Sequence, residues 1–486
     1  LDDSRRMHNK LVSSGCTSEL VEAEGMWHAY VLYCIKERAC DLDRINAFLN
    51  RFLSHERKLR WMRLDNAAKI YPAAKRRKWN NFFRLSATLC DEVDKTVLRN
   101  AMDVTMRRFP SIAVRLCRGA FWYYLEELSS APEITDEKSW PLAHTPFESI
   151  NECALRVIVY KNRIAVEFYH ALTDGTGGMV FLKSLLAEYI EQKYGVEIPN
   201  ECGVLDRLTQ PQEEELEDSF SKNAGSVSVS RNASTAFKIH YTPERDDFRH
   251  LTTFILDSNA ALAAAKSCGV SLTVYLTSAM LLALQRIQDE QTPDKRRQKP
   301  IRVVVPVNLR RLFPSRTLRN FVHVIMPEID PRMGDYEFSE ILTSVKHQLG
   351  LLVTKKNLCA MFTPNVNAER SPLLRVMPLF LKNIAMKLVY DTVGERTNCL
   401  NLSNLGDIKV PDAMRRYVTR FDFILGVQAT KPNNCGVLSY NGKLYMNFIR
   451  NTVEPVLEFQ FYQVLRELGL HVKVESNGAG NVLMPN

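Results

Sequence analysis

The chain has 486 residues, too many for one ordinary hydrophobic core, so two domain-sized units are expected. Apolar residues at 45% and charged residues at 24% exclude a disordered or collagen-like chain. The net charge of +9, from 64 basic and 55 acidic residues, would suit an anionic partner, but no helix-turn-helix spacing, zinc finger or RNP-like aromatic motif directs it to nucleic acid.

Residues 1–57 read as a helical N-terminal extension, with apolar positions at helical spacing from Met26 to Phe52. The first 20 residues lack the apolar run of a secretory signal. The basic cluster Lys75–Lys78 reads as a solvated helix end or loop, as does Lys295–Arg297. Residues 58–205 alternate short strands with longer helices. Phe82–Leu89 is a predicted strand, Val93–Phe109 a helix stopped by Pro110, and Val114–Leu125 a strand containing the aromatic run Phe121–Tyr124. Leu155–Tyr160 and Arg163–Tyr169 form a hairpin around Lys161-Asn162, and Gly178–Tyr194 reads as an amphipathic helix.

Residues 206–248 read as a polar linker or crossover, in which Ser228–Ser230 could form a short edge strand. The α/β rhythm resumes over 249–486. Strands are predicted at Leu251–Leu256, Arg302–Val307, Val322–Met326 and Phe421–Val427, with a hairpin at Asn441-Gly442. Helices are predicted at Ser258–Ser267, Leu272–Gln288, about 337–356, about 371–390 and Phe459–Leu468. Ser271–Leu284 is too short to cross a membrane, and Leu373–Val389 is interrupted by Arg375, Pro378, Lys382 and Lys387, so no transmembrane segment is expected. Eleven cysteines with no CxxC pair and no zinc-type spacing fit reduced thiols in a cytoplasmic protein without a metal.

One segment carries chemistry. The apolar strand ending at Tyr169 runs into His170-Ala-Leu-Thr-Asp174-Gly175-Thr-Gly177-Gly178 and then into a helix. This order presents an imidazole at a strand end, while the glycines allow the bend to pass close to other backbone. A neutral imidazole, with an ordinary pKa of about 6.5, suits a general base at neutral pH. No G-x-S-x-G, Walker A or Rossmann glycine pattern offers a competing chemistry.

The segment resembles the HxxxDG loop of the chloramphenicol acetyltransferase-like acyltransferases, which include nonribosomal peptide condensation domains, plant HxxxD acyltransferases and bacterial alcohol O-acetyltransferases. Further stretches resemble the same group in order: Leu85–Thr88 with Leu98–Pro110, Ser271–Leu276, Pro306–Arg310 with Leu318–Phe321, and Asn401–Gly406. The likeness spans about 80–480 and is greatest to bacterial alcohol acetyltransferases and condensation-domain-like proteins. Tyr169 stands where peptide condensation domains usually carry a second histidine.

The resemblance implies an α/β fold of two acetyltransferase-like halves with mixed sheets, forming a V around a central tunnel. It implies His170 as general base, Asp174 turned away from the imidazole onto an arginine (Arg310, with Arg319 as the alternative), and Gly175 beside the substrate. Ser403, Asn404 and Asn308, in that order, are the candidate oxyanion donors. The donor implied is acyl-CoA as co-substrate, its phosphates met by Lys409 and Lys431, and the acceptor a small alcohol or amine; the aromatic run Phe121–Tyr124 reads equally as lining of the acceptor channel or as core packing. A carrier-protein-bound donor and an inactive scaffold of the same fold are the alternatives.

Overall fold

The computed structural model describes residues 2–14, 18, 20, 59–74, 81–144, 146–229, 234–245, 247–428 and 431–478. Leu1–Leu59 and Arg60–Asn486 are separate compact units. In the first, Asp2–Ser13 is a helix. The helical reading of Met26–Phe52 and the cluster Lys75–Lys78 fall outside the described residues.

Among the described residues the second unit holds three sheets. A five-stranded sheet has the order Val418–Leu425, Phe82–Leu89, Arg163–Tyr169, Leu155–Tyr160, Ile134–Asp136, all antiparallel except the last pair. Local chemistry sets these elements. Lys161 takes a left-handed φ of 50° at the hairpin tip, and Asp94 caps the helix Lys95–Arg108 by accepting from the amides of Thr96 and Val97. The outermost strand, Val418–Leu425, comes from the far end of the chain. Its Phe421 and Phe423 enter the same core as Leu85, Phe168 and Phe181.

An eight-stranded mixed sheet gathers Val322–Ile325, Ile301–Asn308, Leu400–Asp407, Asn433–Tyr440, Lys443–Arg450, His250–Asp257 and Lys473–Ser476 in that order, with Glu328–Ile329 paired to the second strand. The Asn441-Gly442 hairpin forms as expected, both residues at positive φ. Helices Leu272–Gln291, Phe338–Leu352 and Val456–Glu467 bury their apolar faces against this sheet in a second core. Among the described residues no single helix is long and apolar enough to cross a membrane.

Several elements differ from the sequence reading. The aromatic run does not continue one strand. Gly119 N donates to Trp122 O at 2.9 Å, and the chain folds back as the hairpin Val114–Arg118/Tyr123–Glu127, joined by Trp61–Arg63 in a three-stranded sheet. The helix expected over 371–390 is divided by Pro378, which lacks an N–H, into Pro372–Val376 and Leu379–Val389. The one expected over 337–356 ends at Leu352, and Thr354 caps an unexpected helix, Lys355–Arg370, with Pro364 inside it. Helix Gly175–Tyr194 starts three residues earlier than its periodicity suggested. It is buried on nearly every side over its first four turns, so it carries no strong amphipathic stripe. Residues 206–229 hold short helices at Glu213–Leu216 and Ser219–Asn223 and no strand.

Candidate active site

The strand Arg163–Tyr169, central in the five-stranded sheet, delivers His170 just past its C-terminal end, where its backbone N–H donates to Asn81 O at 2.7 Å. Tyr71 stacks on the imidazole with centroids 4.7 Å apart, and Phe83 meets its edge at 5.1 Å. Enclosure by these rings pushes the His170 pKa below the ordinary histidine value. The imidazolium loses water there, and the hydrogen-bonding groups and Asp174 only partly offset the loss.

Asn320 fixes which ring nitrogen is basic. Its Nδ2 donates to His170 O at 3.0 Å and to Asp65 Oδ2 at 3.2 Å, so the amide oxygen must be the atom 3.2 Å from His170 Nδ1. An amide oxygen only accepts, which makes Nδ1 the protonated nitrogen and leaves Nε2 as the base.

Asp174 faces away from the imidazole. Oδ1 caps the helix Gly175–Tyr194 by accepting from the amides of Thr176 and Gly177, both at 3.0 Å. Oδ2 accepts from Arg310 Nη1 at 2.7 Å and from Phe321 N at 2.8 Å. Arg310 also donates to Thr317 O and Arg319 O. Arg319, the alternative partner, instead sends Nη2 to Arg63 O at 2.5 Å and lies 3.7 Å from Asp65. Thr173 Oγ1 donates to Leu318 O at 2.6 Å. The histidine loop and the 317–321 segment are therefore laced together at four places, through His170, Thr173, Asp174 and Arg310. They approach so closely that a Cβ on Gly177 would lie 2.1 Å from Leu318 O.

The strand Leu400–Asp407 ends beside the same loop, where a Cβ on Gly175 would stand 2.7 Å from Leu405 Cδ2. Asn404 donates to Thr273 Oγ1 and accepts from Gly406 N. Asn308 Nδ2 donates to Thr176 Oγ1 at 3.1 Å, and its Oδ1 accepts from Arg310 N. The Ser403 hydroxyl makes no hydrogen bond within the described residues. Of the two lysines expected to meet phosphate, Lys409 is exposed. Lys431 is not at an open surface: it is 3% exposed, so its ammonium is not offered to a ligand from solvent. Phe121, Trp122, Tyr123 and Tyr124 line a cavity of about 860 Å³ that does not include His170. Its wall holds Leu64 and Lys69, which flank Asp65 and precede Tyr71. No group of three or more metal-ligating side chains occurs among the described residues.

Asn320 and Asp65 were not among the sequence-derived site residues. Asn320 lay within a quoted stretch, Leu318–Phe321, whose polar member could have drawn notice; Asp65 carried no signal at all.

This mixed α/β architecture is shared with solved condensation domains and with an acetyltransferase. The first condensation domain of the CDA synthetase is similar over 84% of this chain and 96% of its own, with TM-score 0.57 and 13% identity. TRI3 trichothecene 15-O-acetyltransferase from Fusarium sporotrichioides matches over 86% and 96%, at 0.50 and 13%. A double mutant of the starter condensation domain of rhizomide synthetase RzmA, solved with C8-CoA and Leu-SNAC, matches over 84% and 93%, at 0.51 and 11%. No family model matches the sequence, and no curated protein is similar to it in sequence.

Proposed function

We propose that this protein is an acyltransferase that moves an acetyl or longer acyl group from acyl-CoA to an alcohol or amine, with His170 Nε2 as general base. The observation that carries the reading is the imidazole itself. Asn320 holds its proton on Nδ1, and burial keeps the other nitrogen unprotonated at neutral pH. Neutral Nε2 takes the proton of the acceptor as its oxygen or nitrogen attacks the thioester carbonyl. The tetrahedral oxyanion collapses, the C–S bond breaks, and the imidazolium returns its proton to the departing thiolate. The products are an ester or amide and a free thiol.

Ser403, with its hydroxyl uncommitted, is the first candidate for the oxyanion donor, followed by Asn404 and Asn308. Asp174, with both oxygens filled by four donors, shapes the loop and takes no proton. Gly175 lets Leu405 pack tightly against the loop beside the substrate. Lys409 is the remaining candidate for a CoA phosphate. The capture of C8-CoA by the RzmA domain supports a CoA donor.

The test is thiol release from acetyl-CoA and longer acyl-CoAs with a panel of alcohols and amines, beside His170→Ala. Acceptor-dependent release that the variant lacks is expected. Equal silence of both proteins with CoA donors, followed by activity with a carrier-bound acyl group, would replace the donor. Silence with both donor types would overturn the enzyme.

A further inference from the structure

We infer that Asp65 is a positioning residue for His170: acting through the side chain of Asn320, it fixes the imidazole in the Nδ1-protonated form and stabilises the imidazolium formed during transfer. The inference deepens the acyltransferase reading and rests on it for its catalytic meaning. Asp65 lies before the first strand of the five-stranded sheet, outside the 80–480 stretch that carries the family likeness, so nothing in that likeness assigns it a role.

The argument starts from burial. Asp65 is fully buried, yet it is not a closed ion pair. Arg319, the one cation beside it among the described residues, approaches only to 3.7 Å and spends Nη1 and Nη2 on the carbonyls of Leu216 and Arg63. The carboxylate's two short contacts are Ala68 N to Oδ1 at 2.7 Å and Asn320 Nδ2 to Oδ2 at 3.2 Å. The second contact continues through the Asn320 amide to His170 Nδ1. A carboxylate has no hydrogen to give, so it forces the NH2 end of Asn320 towards itself. His170 O, accepting from the same NH2, pulls the same way. Between them they point the Asn320 oxygen at Nδ1, and the ring must carry its proton there.

When Nε2 accepts a proton, the imidazolium sits one polarised amide away from a negative charge that, with Asn320, is buried, and a buried charge acts more strongly than one in water. Asp174, the other carboxylate near the ring, is neutralised by Arg310.

Burial raises the Asp65 pKa to about 6, with Asp218 adding to the rise and Arg319, Asn320 and Ala68 opposing it. Tyr71, the remaining titratable group packed here, is raised well above the ordinary tyrosine value by burial and by Asp65 and Asp174, and stays neutral. Asp65 is therefore ionised at pH 7 and above and becomes protonated as pH falls through about 6, which removes the pull on Asn320.

The experiment reads His170 without any substrate. Full-length protein labelled with 15N at histidine reports the tautomer, and modification by diethyl pyrocarbonate, followed at the His170 peptide by mass spectrometry, reports the reactivity of Nε2 against pH. Wild type should show the Nδ1-protonated form. Asp65→Asn keeps the oxygen facing Ala68 but sets an NH2 against that of Asn320. It should slow modification of His170 about tenfold at pH 7.5, the effect of a tautomer balance tipped about tenfold towards the form that carries its proton on Nε2. In Asp65→Asn/Asn320→Asp, carboxylate and amide exchange places and Nδ1 again meets an acceptor, although the His170 carbonyl loses its donor; part of the reactivity should return.

Where transfer activity is found, kcat should fall and recover in parallel while KM stays within twofold. A wild-type ring protonated on Nε2, or an Asp65→Asn protein modified at the wild-type rate, would overturn the inference. If Asp65→Asn fails to fold, the wild-type tautomer and the exchanged pair still decide it. Because these readouts need no acyl donor, absence of transferase activity would sink the function while leaving the positioning role standing.

Discussion

Replacing Asp174 by Asn halves the acceptor capacity of a side chain on which four donors converge. The amides of Thr176 and Gly177 meet one oxygen, and Arg310 Nη1 and Phe321 N the other. An amide can satisfy only one of these pairs and turns two hydrogens towards the other. Turning them on the guanidinium would leave a largely buried charge unpaired, at about 3–5 kcal/mol. Turning them on the helix loses the cap, at about 1 kcal/mol. The second is cheaper, so the Asn oxygen should stay with Arg310. The bond there loses its charge assistance, roughly a further 1–1.5 kcal/mol. Asp174→Asn should thus destabilise the fold by about 2–3 kcal/mol, and Asp174→Ala, which loses both sets, by about 4–6 kcal/mol. Urea unfolding of both variants, each combined with Arg310→Met in a double-mutant cycle, measures this. In the Ala cycle a coupling of at least about 2 kcal/mol is expected, because removing Arg310 removes the stranded charge. Ala and Asn variants both within about 0.5 kcal/mol of wild type would refute the reasoning, since that is the range of an ordinary surface change.

Gly177 and Gly175 should respond oppositely to alanine. At Gly177 the new methyl would meet Leu318 O and Thr173 Oγ1, an unyielding contact, and should cost about 3 kcal/mol or more in thermal or urea unfolding. At Gly175 it meets only the end of the Leu405 side chain, so the fold should survive within about 1 kcal/mol while transfer activity falls. The activity profile against pH should rise through a midpoint below the ordinary histidine value of 6.5 and level off by pH 7. Burial disfavours the imidazolium, so the proton leaves at lower pH and the base is already free at neutrality. A midpoint above 6.5 would contradict that sign. Thr173→Val should strand the buried Leu318 carbonyl and lower the unfolding midpoint by the equivalent of about 1–3 kcal/mol.

The parts of the fold that were legible in the sequence are those specified by neighbours. Phe82–Leu89 and the hairpin at Lys161-Asn162 appear with the expected ends, because alternation and a turn dipeptide are local signals. The histidine loop was legible for the same reason: strand, imidazole, capping aspartate and glycines follow one another within ten residues. The Arg310 contact with Asp174 could be anticipated only from a family likeness, since 136 residues separate the two. Asn320 and Asp65 stand 150 residues after and 105 before the imidazole they bear on, a distance over which no period or spacing carries information. The split of the aromatic run was hidden because a strand and a tight hairpin both alternate, and only the Gly119–Trp122 turn tells them apart. Helix Lys355–Arg370 was masked by Pro364, which ordinarily marks a stop.

The outermost strand of the first sheet, Val418–Leu425, has a consequence for the newborn chain. Strand Phe82–Leu89 leaves the ribosome early, with an apolar face and one row of backbone groups that no neighbouring strand covers until the far end of the chain emerges. At about 5–20 residues per second that wait is on the order of tens of seconds. For that time the growing polypeptide carries an open sheet edge of the kind that templates aggregation. A fragment ending before Val418 would keep that edge permanently and should accumulate as insoluble protein, however complete its histidine loop.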